Sequence, residues 1–104
     1  KIQLLIKMKN QYIWDENKRQ INLEKHGLDF ENADSVLNSR YRLDVNVIRN
    51  DEMRTQSFSY VMNKLAVLSL VHLERENLTR IVSFRYASKT ESEVYYEWLE
   101  KESD

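Results

Sequence analysis

From residue 41 the apolar side chains recur at every second position, and three polar turns interrupt the pattern before it ends at residue 86. Alternation of this kind is the mark of a strand with one buried face, so the middle of this 104-residue chain is committed to a sheet. Leu43, Val45 and Val47 alternate with Arg42, Asp44 and Asn46, and Asn50-Asp51 reads as a turn. Residues 55–62 alternate again, with Phe58 and Tyr60 on one side, and Asn63-Lys64 makes a tight connection. Residues 65–73 are apolar on both faces, which predicts the central strand. His72 in that run reads as a hydrogen-bonded core residue. After the turn at Glu76-Asn77-Leu78-Thr79, strict alternation sends Arg80, Val82, Phe84 and Tyr86 one way and Ile81, Ser83 and Arg85 the other. Arg85 then ends a mostly apolar face, where its guanidinium needs either a buried carboxylate or a bound phosphate.

The flanks obey a different period. Ile2, Leu4 and Ile6 alternate, and Tyr12-Ile13-Trp14 favours strand, so an early strand ends at Trp14. Asp15 can cap a following helix and Gly27, the one glycine, can close it, which predicts a helix over residues 16–26. Asp29 caps a second helix in which Phe30, Ala33 and Leu37 recur at helical spacing. Near the other end, Ser88 and Glu91 have capping-box spacing, and Val94, Tyr95, Trp98 and Leu99 form one apolar stripe. The expected fold is α+β: an antiparallel sheet with two short helices near the N-terminus and one C-terminal helix, in a single domain over residues 1–104. Residues 1–11 read as a first strand or as an extension ahead of the domain.

Composition closes several routes. The chain has no cysteine, and its two histidines, His26 and His72, stand in no zinc-ligand pattern, so no metal or other cofactor is expected. The longest apolar-rich run, residues 65–71, is far short of the ~20 residues a membrane span needs. The apolar residues at the start are too few for the ~7–15 of a secretory segment, which predicts a cytoplasmic protein. The net charge of -1 is unlike that of a protein held to nucleic acid mainly by charge. The acids crowd the end, however, at Glu91, Glu93, Glu97, Glu100, Glu102 and Asp104, leaving the rest of the chain net basic.

At about 100° per residue, Lys18, Asn22, Lys25 and His26 fall within one narrow arc of the first helix. Capping accounts for Lys25 and His26 in a last turn, but not for Asn22 or Trp14. The set Trp14, Asp15, Lys18, Asn22, Lys25, His26, Gly27 and Phe30 resembles the opening of the BrnT family of ribonuclease toxins from bacterial toxin-antitoxin pairs. Arg80-Ile81-Val82-Ser83, Arg85, Ala87, Ser88, Glu91 and a tyrosine at Tyr95 or Tyr96 resemble its closing pattern, and Glu52 and Arg54 its middle Glu-x-Arg. The resemblance covers about residues 12–96. This chain departs from the pattern in lacking glycines around the middle strands, and in Tyr86, Thr90 and Ser92, which stand where basic residues are common.

The resemblance implies a RelE-like fold and a metal-independent endoribonuclease that cleaves RNA through its own 2′-hydroxyl and so inhibits translation. It also implies a BrnA-like antitoxin with a ribbon-helix-helix part that silences the toxin in a hetero-oligomer and carries it to operator DNA. On that basis His26 or Lys25 would do the acid-base work, Arg80 and Arg85 would hold the phosphate, and Arg54 would add a third charge. Glu52 would orient a cation or act as base. Trp14, Lys18, Asn22 and Lys89 would bind substrate, Trp14 by stacking on a base. The alternative is a non-catalytic module that binds its partner and acts only within the repressing complex.

Overall fold

Asp15 ends a strand and starts a helix in a single residue. In a computed structural model, which describes residues 6–9 and 11–102, its carboxylate accepts the Asn17 and Lys18 amides at 2.9 and 3.4 Å. Before it come β1 (Ile6–Lys9) and β2 (Tyr12–Asp15), paired antiparallel; the alternation at Ile2 and Leu4 lies outside the described residues. After it, α1 spans Glu16–His26 and is closed by Gly27 in the left-handed conformation, φ 72°. The predicted second helix is split into a 3₁₀ turn, Phe30–Asn32, and the four-residue α2, Asp34–Leu37. Both pieces turn their apolar residues inward, leaving Phe30, Ala33 and Val36 fully buried.

The strands β3 (Leu43–Arg49), β4 (Glu52–Val61), β5 (Ala66–Arg75) and β6 (Leu78–Tyr86) form a meander, and α3 spans Lys89–Glu102. Asn50-Asp51 and Glu76-Asn77 are two-residue connections with positive φ at both positions, the geometry that lets a tight hairpin follow strand twist. The sheet order is β1-β2-β6-β5-β4-β3, so β5 and β6 are the central pair.

Two expectations are corrected. The sheet is mixed: β2 lies parallel to β6, pairing Tyr12 with Thr79 and Ile13 with Arg80. That contact is short because β2 turns into α1, and the rest of the β6 edge is covered by a side chain. The Asn22 amide accepts the Phe84 N–H at 3.1 Å and donates to the Phe84 and Leu28 carbonyls at 2.7 and 3.0 Å, satisfying backbone groups that a strand would otherwise pair. The alternation along β6 also breaks. Ile81 pairs with His72 and Ser83 with Val71, so Val82 is an extra residue, a β-bulge.

One face of the sheet is covered by the 3₁₀ turn and α2, with Trp14, Phe30, Leu70, Ile81 and Phe84 in its core. The other carries α3, which packs Tyr95, Trp98 and Leu99 on Phe58 and Val67. His72 is in the core, on the first of these faces. Ser57 donates its one hydroxyl proton to Asp44 Oδ1 at 2.6 Å, so the His72 Nε2, 2.8 Å from Ser57 Oγ, is the donor of its contact with the hydroxyl. Burial pushes the His72 imidazole down in pKa, and it stays neutral.

Candidate functional site

The bulge at Val82 decides where the cations of β6 go. Arg80 and Arg85 are five residues apart, and regular alternation would send them to opposite faces. With Val82 inserted, Arg80 pairs with Leu73, Ser83 with Val71 and Arg85 with Ser69, so both guanidiniums are on the α3 side of the sheet. On β4, Gln56 pairs with Val71, which brings Gln56 and Arg54, two residues before it, to the same side. On β3, Val47 pairs with Arg54 and Arg49 with Glu52.

This half of the face is left open by α3. It holds two adjoining depressions, of about 780 and 250 Å³, that share Lys18, Arg54 and Val82. The larger is also lined by Arg49, Gln56, Ser83 and Arg85, and the smaller by Glu52, Arg75 and Arg80. Six cations therefore surround a floor with one lining carboxylate. Lys18 reaches this side because α1 runs along the β6 edge rather than across a face. Glu52 is held between Arg54 Nε at 2.9 Å and Arg75 Nη2 at 3.4 Å. Lys18, Arg49 and Arg80 have no ion pair among the described residues.

Arg85 has found its carboxylate. Its two terminal nitrogens donate to the two Glu91 oxygens at 2.8 and 3.0 Å, a fork matched to a fork. Glu91 also completes the capping box, accepting the Ser88 amide at 2.8 Å while its own amide donates to Ser88 Oγ at 3.1 Å. The Arg85 guanidinium and the Ser88 amide, against the opposing effect of burial, hold the Glu91 carboxyl down at about 2. A similar lock fixes the start of α1, where Arg19 holds Glu16 at about 2 and reaches Asp29 at 3.0 Å.

Of the residues expected from sequence, Lys18, Glu52, Arg54, Arg80 and Arg85 are brought together here. Trp14 is not available to stack on a base: it is 3% exposed in the core and donates Nε1–H to Glu16 at 3.0 Å. Asn22 is consumed by the β6 edge. Lys25 and His26 close α1, exposed and half-buried, and Lys89 opens α3; none of the three lines either depression. Sequence reasoning missed Arg49, Gln56, Arg75 and Ser83. A signal for Arg49 was present, since it continues the alternation of Val45 and Val47 and sits opposite Glu52 across a two-residue turn. Among the described residues no group of three histidines or carboxylates gathers as a metal-ligand set, and no helix is long and apolar enough to cross a membrane.

A small α+β domain with unpaired cations crowded onto half of one sheet face presents there a surface whose electrostatics suit a polyanion. Its lineage is narrower. A family model described as the ribonuclease toxin, BrnT, of type II toxin-antitoxin systems matches residues 14–91, and the chain belongs to that family. No curated protein is similar enough to stand beside it as a relative.

Proposed function

We propose that this chain is the toxin of a type II pair and an endoribonuclease that cuts RNA, without a metal ion, on the open cationic face. The observation that carries this reading is the gathering of Arg80, Arg54 and Lys18 around one carboxylate, Glu52, by way of the Val82 bulge. The attacking group is the RNA's own 2′-hydroxyl. Its proton passes to Glu52, the new bond forms between the 2′ oxygen and phosphorus, and the bond from phosphorus to the 5′ oxygen breaks. Arg80 and Arg54 stabilise the charge that builds on the phosphate oxygens, and the Lys18 ammonium supplies the proton for the leaving 5′ oxygen. The products are a 2′,3′-cyclic phosphate and a free 5′-hydroxyl. Lys25, His26 and Lys89 contact the sugar-phosphate chain on either side, and Arg85 acts through Glu91 to hold α3 back from the groove.

Loss of translation and growth arrest follow from the cleavage, in the cytoplasm. Neutralisation is by a BrnA-like antitoxin whose ribbon-helix-helix part brings the complex to its own operator. A second reading has one observation in its favour: Trp14, Asp15, Asn22, Gly27, Phe30 and the Arg85–Glu91 fork are all used in building the fold. Those matches would survive in a module that binds its antitoxin and no longer cuts. RNA cleavage in EDTA separates the two. Wild type is expected to cut and to leave cyclic phosphate, with Arg80→Ala and Glu52→Gln each slower by about 10²- to 10³-fold at unchanged melting temperature. Folded wild type that leaves RNA intact sinks the catalytic reading.

A further inference from the structure

At the other end of the same sheet face, α3 and the neighbouring strands enclose a second groove, of about 340 Å³. Its lining is Ser39, Tyr41, Tyr60, Tyr95, Tyr96 and Leu99. Tyr95 is its floor, buried and anchored by its hydroxyl, which donates to the Tyr41 carbonyl at 2.7 Å. The other three tyrosines are the walls, 37%, 36% and 46% exposed in the order Tyr41, Tyr60, Tyr96.

Charge specifies what would cover this surface. On α3, Glu93, Glu97 and Glu100 follow one ridge beside Tyr96 at helical spacing, and from residue 93 to 102 four glutamates stand against Lys101 alone. RNA is repelled from such a bank, whereas the depression at the far end of the face attracts it. At the aromatic wall the Arg40 guanidinium lies 5.3 Å from the Tyr41 ring centroid, which shows that this ring accepts a cation on its face.

We propose that the aromatic groove with its acidic bank is the antitoxin's docking surface, and that its occupant is a basic amphipathic helix of the antitoxin. Apolar residues of that helix at i, i+3 and i+4 fill the tyrosine-walled groove, and its lysines and arginines face Glu93 and Glu97. Tyrosine is suited to the task, since it supplies a large rigid contact with a polar end. The inference rests on the antitoxin partner proposed above, but not on the catalytic mechanism.

The test uses the purified chain and its cognate antitoxin, with affinity measured by calorimetry at low and high salt and RNA cleavage measured in parallel. Tyr96→Ser is expected to weaken antitoxin binding by about tenfold or more. The double charge reversal Glu93→Lys, Glu97→Lys, on exposed positions outside the core, is expected to slow association about tenfold at low salt. It should also abolish the salt dependence of binding. Both variants should cut RNA like wild type. If both bind the antitoxin with wild-type affinity and salt dependence, the docking surface is wrong while the partner reading stands. If wild type itself does not bind, both fail. If the variants lose RNA instead of antitoxin, the groove belongs to the nucleic acid and the inference is overturned.

Discussion

The two faces of the sheet solve the burial of polar groups in opposite ways, within one pair of strands. On the helix-covered face, Ser57 and His72 stand side by side on β4 and β5 and are joined to Asp44 of β3 through hydrogen bonds of 2.6 and 2.8 Å. The chain is internal and neutral at its buried end. On the opposite face the same strands present Arg54 and Gln56, and β6 presents Arg80, in a depression where cations outnumber carboxylates. Polar groups that satisfy one another describe how the protein folds. Cations that outnumber their partners on a sheet cost solvation and repulsion, a loss that a bound anion would recover.

The contrast breaks first at Arg80. Its removal should take about 10²- to 10³-fold from RNA cleavage and leave stability intact. Ser57→Ala should do the reverse, costing about 1–3 kcal/mol because Asp44 and the His72 Nε2–H lose their partner, with cleavage unchanged. A Ser57→Ala protein that melts like wild type but no longer cuts would assign the wrong face.

Next in size comes Asn22. Alanine there leaves the Phe84 N–H and carbonyl and the Leu28 carbonyl without the amide that now reaches them, at a cost of about 2–4 kcal/mol in urea unfolding. RNA affinity well below the melting transition should stay within about twofold, since binding would depend on charges that Asn22 does not carry. Asparagine was read from sequence as a substrate contact because it shares the arc of Lys18, and periodicity alone cannot separate the part of an arc that faces a strand edge from the part that faces solvent.

That limit recurs. The ends of α1 were legible because Asp15 and Gly27 are chemical signals for a cap, and the meander was legible because turn residues separate runs of alternation. The core position of His72 followed from the apolar run around it. Nothing in Ile81-Val82-Ser83 marks the bulge, because all three residues suit a regular strand. One unmarked residue reversed the predicted side of Arg80 relative to Arg85. The parallel contact of β2 with β6 was equally hidden, being two residue pairs long and set by the direction in which α1 must leave.

Acid should separate the faces by pH window. His72 is held neutral by burial in the folded state and takes a proton near ~6.5 when unfolded, so the unfolded state binds more protons and stability falls as pH drops below that value. Glu91 titrates at about 2 in the folded protein against an ordinary value near ~4.3. Its contribution is therefore complete above that ordinary value and is lost as pH falls from there towards 2. Because the pair is partly exposed, the second step is about 1 kcal/mol. Glu91→Gln should shrink the lower step, which Glu16 shares through its own pairing with Arg19, and leave the upper one, and a profile unchanged by that substitution would show the fork to Arg85 to be energetically idle.

The smallest expected effect is the most informative about mechanism. Lys25 and His26 are the residues that sequence favours for proton transfer, since an imidazole can both take and give a proton. They close α1 outside both depressions, where a cation is already favoured by the helix dipole. If they only touch the RNA backbone, Lys25→Ala and His26→Ala should each change cleavage by no more than about threefold, and Lys25→Ala should lower the salt slope of binding by about 0.7 per lost phosphate contact. The pH-rate profile should keep its shape in both. Should His26→Ala instead abolish cleavage and remove a limb of that profile, the proton moves at the helix end, and the cations on the sheet serve to anchor the strand while the chemistry happens beside them.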